Sequence, residues 1–182
     1  MTIIIAVLLS VLIVAADQVI KYFIEANMTV GQRITVIDGM FYLDYTQNRG
    51  AAFGMFQDAT LIFAAITVVL IAVFFYLLVT KKFTGKLFTA SVILVSGGGI
   101  GNLIDRLIRH YVVDYLSLSF FPPVCNFADY CITIGAVLFI ISVFIVSDNR
   151  KKLESKKPAV EAATAEEEKD RPEQISGDSE NE

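Results

Sequence analysis

Apolar residues run almost unbroken through four stretches of the chain: residues 2–20 as far as Asp17, then 61–80, 87–104 and 130–147, the last three without a charged side chain. A bilayer core about 30 Å thick is crossed by about 20 residues at 1.5 Å each, so each stretch is long enough to span it as a helix. Between the first and second stretches the pattern changes. Arg33-Ile-Thr-Val-Ile-Asp38-Gly39-Met-Phe-Tyr-Leu-Asp-Tyr45 holds two β-rich runs about an Asp-Gly pair, which predicts a hairpin. Its apolar side chains (Ile34, Val36, Met40 and Tyr42, or their alternates) would either cap the helices or lie on the lipid surface. The expected fold is an all-α membrane protein of four transmembrane helices with a small extracytoplasmic β-hairpin or sheet.

The first stretch has an alternative reading as a secretory signal, because Val14-Ala15-Ala16 looks like a small-residue cleavage site. Against this, no Lys or Arg precedes the apolar run and three more spans follow it. Basic residues in short flanking segments prefer the cytoplasmic side. Lys81, Lys82 and Lys86 lie between spans two and three, and Arg150, Lys151, Lys152, Lys156 and Lys157 follow span four. Both termini are therefore expected in the cytoplasm, with segments 21–60 and 105–130 outside.

Charge separates the body from a tail. Residues 1–147 carry eight basic and eight acidic side chains, whereas residues 148–182 carry seven and eleven, which accounts for the net charge of −4. A neutral apolar body lacks the basic surface on which nucleic-acid affinity rests, so nucleic acid is excluded as a partner. Residues 1–147 are read as one membrane domain, and 148–182 as a charged cytoplasmic tail of disordered composition. Cys125 and Cys131 could close a small disulfide loop or help hold a metal, but two thiols and a lone His110 make a poor ligand set. Two unpaired thiols are expected, and no metal.

Polar residues at membrane depth are costly and point to function. Asp17 and Lys21 stand four apart at the outer end of span one and share a helical face, as an interfacial ion pair or as part of a site. Asn48-Arg49-Gly50-Ala51-Ala52-Phe53-Gly54 follows the hairpin, either as a turn or as a binding element. At the outer end of span three, Gly97 and Gly101 are spaced for close helix packing, while Gly98, Asn102, Asp105 and Arg109 share one face. Cys125-Asn126-Phe127-Ala128-Asp129-Tyr130 opens span four, where Asn126 could be a helix cap and Asp129 a carboxylate favoured by the helix dipole.

The Asn102/Asp105 spacing recurs in Asn126/Asp129, and spans three and four enter from the same side. Side by side, they would bring Asp105 and Asp129 together near the bilayer surface. Two close carboxylates in a low-dielectric site share one proton. Such a pair can activate water and polarise a carbonyl without a nucleophile, metal or cofactor.

The ordered motifs Asp17-Gln18-x-x-Lys21, Asn48-x-Gly50-Ala51-Ala52-Phe53, Gly97-Gly98-x-x-Gly101-Asn102-x-x-Asp105-Arg106, Val112-Val113-Asp114-Tyr115 and Asn126-x-Ala128-Asp129 resemble those of lipoprotein signal peptidase (signal peptidase II), over about residues 10–145. The resemblance implies a bacterial inner-membrane aspartic endopeptidase that cleaves prolipoproteins just before the diacylglyceryl-modified cysteine. It implies Asp105 and Asp129 as catalytic, supported by Asp17, Lys21, Asn48, Gly50, Asn102, Arg109, Asn126 and Ala128. The expected partners are the lipidated substrate and membrane lipids, with the enzyme a monomer that needs no cofactor. Gly99 and Cys125 depart from the family's usual Ala and Phe. A lidded site is expected, with the segment from Asn48 to Gly54 over the substrate. The alternatives are a small transporter with Asp105, Asp129 and Lys21 as a proton relay, disfavoured by charges gathered near one surface, and a presenilin-type protease, whose Gly-x-Gly-Asp is missing.

Overall fold

The computed structural model describes residues 2–50, 60–80 and 83–147. The chain divides into two units, Met1–Val143 and Phe144–Glu182. Of the second, the described residues are 144–147, the last of the final helix, so the tail and the segment 51–59 lie outside the description.

Four helices and four strands make up the described chain: α1 (Thr2–Asn27), β1 (Arg33–Ile37), β2 (Phe41–Asn48), α2 (Thr60–Val79), α3 (Lys86–Ile108), β3 (Val112–Leu118), β4 (Phe121–Cys125) and α4 (Phe127–Ser147). All four helices are long and apolar enough to cross a membrane. The expected spans are present, and α1 continues seven residues beyond its expected end. The extra turns carry Lys21, Ile24 and Met28's neighbour Asn27 past the apolar run, and the small-residue stretch Val14-Ala15-Ala16 lies within the helix.

α3 is the most buried of the four and packs against both α1 and α2. Its glycines make this possible. A Cβ on Gly97 would lie 2.7 Å from Ile13 Cβ, and one on Gly98 would lie 2.5 Å from the main-chain oxygen of Ala128 on α4. Further along, Gly135 of α4 returns the close approach, a Cβ there falling 3.1 Å from Ser91 O. Small residues thus let backbones touch where larger ones would hold them apart. Away from the site, Ala6, Phe74, Leu78, Phe88, Val92 and Val95 form an apolar cluster. Phe139 joins it through ring contacts with Phe74 and Phe88 at 4.9 and 6.2 Å. Exposed Ile, Val and Phe side chains on α1, α2 and α4 face outward, the surface an apolar solvent would cover.

The expected hairpin turns at Asp38-Gly39, where Gly39 takes φ 70° and Met40 N donates to Ile37 O. The sheet is larger than one hairpin: four antiparallel strands in the order β1-β2-β3-β4. The second hairpin, β3–β4, comes from the connection between spans three and four. Pro122 and Pro123 are tolerated in β4 because it is an edge strand and needs no donors on its outer side. Of the two fates open to the hairpin's apolar faces, the strands divide. β1 is exposed along its whole length, whereas Tyr45 of β2 and Val113 and Tyr115 of β3 pack with Ile24 and Met28 at the end of α1.

Candidate active site

The polar face of α3 turns inward, as its spacing predicts: Gly98, Asn102 and Asp105 are buried. α1 meets it with Asp17 and Lys21, both 0% exposed. Lys21 Nζ donates to Asp17 Oδ2 at 2.9 Å, to Asp105 Oδ2 at 2.8 Å and to Asn102 Oδ1 at 2.8 Å, spending all three of its protons. A Cβ on Gly101 would lie 2.5 Å from Asp17 Oδ2, so glycine is what admits this carboxylate between the helices.

Asp105 is saturated. Its Oδ1 accepts from Arg109 Nη1 at 2.7 Å and Gln18 Nε2 at 3.1 Å, and its Oδ2 accepts from Lys21 and from the main-chain N–H of Val113 at 3.2 Å. Arg109 also holds Glu25 at 2.9 Å and Gln18 at 3.0 Å, and Tyr111 donates to Glu25 at 3.0 Å. Asp105 therefore ties the outer ends of α1 and α3 to the start of β3. Among the described residues no hydrogen bond joins it to Asp129; the connection runs through Lys21 and Asn102.

Asp129 meets a different carboxylate. Asn126 caps α4: its Oδ1 accepts from Asp129 N at 3.0 Å, while its own N–H donates to Asp129 Oδ2 at 3.2 Å, a reciprocal capping box. With its carbonyl so engaged, the Asn126 amide turns its NH2 onto Asp114 Oδ1 at 2.6 Å. Asn48 does the same from β2, its Oδ1 accepting from Gly50 N at 3.0 Å and its Nδ2 donating to Asp114 Oδ2 at 2.8 Å. Asn102 Nδ2 donates to Asp129 Oδ1 at 2.8 Å. Three asparagines thus aim their donor ends at two carboxylates, Asp114 and Asp129, one on a strand and one on a helix. Ala128, fully buried, presses its backbone against Gly98 and sets the depth of Asp129.

Burial, and then the negative charge of Asp129, push the Asp114 carboxyl up from its ordinary 3.8 to about 7, against the pull of the Asn48 and Asn126 amides. Burial and the same two carboxylates push the Cys125 thiol up to about 11, which keeps it un-ionised and unreactive at neutral pH. Cys125 and Cys131 are both free thiols, as expected.

Of the expected site residues, Asn48, Gly50, Asn102, Asn126, Ala128 and Asp129 gather at this pair, whereas Asp17, Lys21, Asp105 and Arg109 form an ion-pair network beside it. Residues 51–54 of the expected cover lie outside the described residues. Sequence reading gave no role to Asp114, although a signal was present: in Val-Val-Asp-Tyr-Leu a carboxylate interrupts an apolar strand and must be buried with partners. Arg106 was also left without one. It stacks over the Phe63 ring at 5.9 Å and senses the charges of Asp129, Asp114 and Asp105.

Residues 9–145 match the family described as signal peptidase (SPase) II. The chain belongs to the signal peptidase II family. A lipoprotein signal peptidase of Shouchella clausii is 37% identical over 147 residues, covering 81% of this chain and 97% of the relative. One of Lactobacillus gasseri is 41% identical over 141 residues, covering 77% and 92%. A bacterial membrane enzyme solved by the in meso method at 2.3 Å has a TM-score of 0.73 at 30% identity, covering 79% of this chain and 90% of its own. With its four apolar helices, the chain is a multi-pass membrane protein and an aspartic peptidase of the signal peptidase II family.

Proposed function

We propose that the protein removes signal peptides from diacylglyceryl-modified prolipoproteins by cleaving just before the lipidated cysteine, with Asp114 and Asp129 as the catalytic pair. This replaces the Asp105/Asp129 assignment drawn from the motifs. The observation that carries the change is Asn126: one amide and its own N–H bond both Asp114 and Asp129, whereas every lone pair of Asp105 that faces a donor is held by Lys21, Arg109, Gln18 or Val113. A carboxylate whose two oxygens already accept four hydrogen bonds has no lone pair left for a water.

In the reaction, water lies between the pair. Asp129 takes a proton from the water as the water oxygen bonds to the scissile carbonyl carbon, while Asp114 gives its proton to the carbonyl oxygen. The tetrahedral diol then collapses: the C–N bond breaks, the amine nitrogen takes the proton from Asp129, and Asp114 recovers its own. The products are a signal peptide with a new carboxylate and a lipidated cysteine with a free amine.

The substrate's acyl chains sit in one leaflet, so its scissile bond lies near the bilayer surface, and the pair stands where α3 and α4 meet the sheet. The basic residues between α2 and α3 and after α4 support cytoplasmic termini and an active site on the extracytoplasmic side of the bacterial inner membrane. A single copy of the chain supplies every group used here, which supports a monomer. The test is cleavage of a synthetic diacylglyceryl lipopeptide by the wild type, Asp114→Asn and Asp129→Asn. Loss of cleavage in both variants, with insertion unchanged, is expected. Full activity in either would overturn the assignment.

A further inference from the structure

The three asparagines of the site differ in what holds them. An amide has a donor end and an acceptor end, and turned over it would press its carbonyl against a carboxylate. Asn126 is anchored by the main-chain N–H of Asp129, and Asn48 by that of Gly50, because both sit at chain turns where such donors are free. Asn102 lies in the interior of α3, whose N–H groups are consumed by the helix itself. Its anchor must come from elsewhere, and Lys21 Nζ provides it at 2.8 Å. Charge balance does not require that bond. Asp17 and Asp105 already satisfy the ammonium as counter-ions, and Asp105 has Arg109 besides. Burying a lysine completely at this depth is expensive, and its third proton is spent on a neutral amide.

We propose that Lys21 is a positioning residue for the hydrolysis: by holding the carbonyl of Asn102 it keeps that residue's NH2 on Asp129, and so makes Asp129 the proton acceptor and Asp114 the proton donor of the pair. This rests on the assignment of Asp114 and Asp129 as the catalytic pair. Asn102 gives Asp129 a donor whose direction is fixed, and so holds that carboxylate in one orientation beside Asp114. Among the described residues, charged or titratable groups that bear on Asp129 include Asp114 and Tyr115 on β3, Arg106 on α3, Cys125 on β4 and Tyr130 on α4. None of them touches Asn102's amide. Arg106 Nη1 reaches only its main-chain oxygen, at 3.2 Å. Lys21 is thus the one group that fixes the amide's sense among the described residues.

The experiment is kcat/KM against pH for the full chain in lipid, with a diacylglyceryl lipopeptide as substrate. The enzymes compared are the wild type, Asn102→Ala, Asp17→Asn/Lys21→Met, and the triple combination. Asp17→Asn/Lys21→Met removes a buried ion pair together and leaves the local net charge unchanged, which protects folding. Both Asn102→Ala and Asp17→Asn/Lys21→Met should move the acidic limb of the profile and lower kcat with little change in KM, the loss of one oriented donor. In the triple variant the limb should move no further than in Asn102→Ala. An unmoved limb in Asn102→Ala, an unmoved limb in Asp17→Asn/Lys21→Met, or shifts that add in the triple variant would each overturn the role given to Lys21. Should the wild type fail to cleave the lipopeptide, or Asp129→Asn cleave it fully, the catalytic pair itself is wrong. A cleaving wild type with an unmoved limb removes only the part played by Lys21.

Discussion

Replacing Asp114 by Asn should stop catalysis while changing how stability depends on pH, and the two effects come from one carboxyl. Asp114 is 2% exposed, and its proton is held to about pH 7 in the folded protein against 3.8 for a free side chain. The unfolded chain ionises first. Between about pH 4 and 7 the folded state therefore binds the extra proton, and stability falls as pH rises through that window. A difference of about three units at 1.36 kcal/mol each puts the loss at about 4 kcal/mol. Asn cannot ionise, so the variant escapes this loss. It forfeits one hydrogen bond, because its own NH2 must face the donor of either Asn48 or Asn126, at a pH-independent cost of about 1–3 kcal/mol. The variant should be the less stable protein at pH 4 and the more stable one above pH 7. For a chain of this size 1 kcal/mol moves Tm by about 2–4 °C, so the difference in Tm between the two proteins should swing by about 10 °C across the window. Thermal unfolding in detergent at half-unit steps of pH measures it. Parallel Tm curves for the two proteins would refute the reasoning, because they would mean Asp114 titrates alike in both states.

Asp105→Asn should behave in the opposite way: Lys21 keeps Asp17 and Arg109 keeps Glu25, but a buried charged acceptor shared by both cations is lost, at a cost of about 1–3 kcal/mol. Tm should fall sharply, while the pH–activity profile of the folded fraction keeps the wild-type shape. In the wild type kcat/KM should decline on the alkaline side with a midpoint near about 7, as Asp114 loses its proton, and the midpoint for kcat should lie higher because bound substrate excludes water. Gly98→Ala should cost about 1–3 kcal/mol and most of the lipopeptide cleavage, since the new methyl would stand 2.5 Å from Ala128 O and push Asp129 out of place. His110→Gly should raise stability by up to about 1 kcal/mol with cleavage unchanged, because His110 sits at φ 63° just past the end of α3, where glycine is unstrained.

The helices were legible because spanning demands long apolar runs, and the inward face of α3 because Asn102, Asp105 and Arg109 share a helical period. The hairpin followed from Asp38-Gly39. The second hairpin was hidden by Pro122 and Pro123, which read as connection until the sheet order places them on an edge. The unlike surroundings of Asp105 and Asp114 were hidden for a deeper reason. Spacing along α3 shows which way a carboxylate points, not what meets it. Lys21 reaches Asp105 from a helix more than eighty residues earlier, and Asn48 reaches Asp114 from β2. A matching pair of Asn-x-x-Asp motifs thus concealed two unlike duties: the first Asp holds elements together, and the second stands beside a strand carboxylate that local pattern could not connect to it.

The contacts at Gly97, Gly98 and Gly101 bear on how this enzyme meets membranes of different thickness. At Gly98 the main chain of α3 lies against the Ala128 carbonyl of α4, and at Gly97 and Gly101 it seats Ile13 and Asp17 of α1, so neighbouring helices are keyed together and have little room in which to slip. A thicker or thinner bilayer is then accommodated by tilt of α1, α3 and the outer part of α4 together, and not by sliding one past another. Asp129 keeps its depth against α3, and Asn126 and Asn48 keep Asp114 beside it, while the surrounding lipid varies, so turnover should be nearly the same in short-chain and long-chain vesicles.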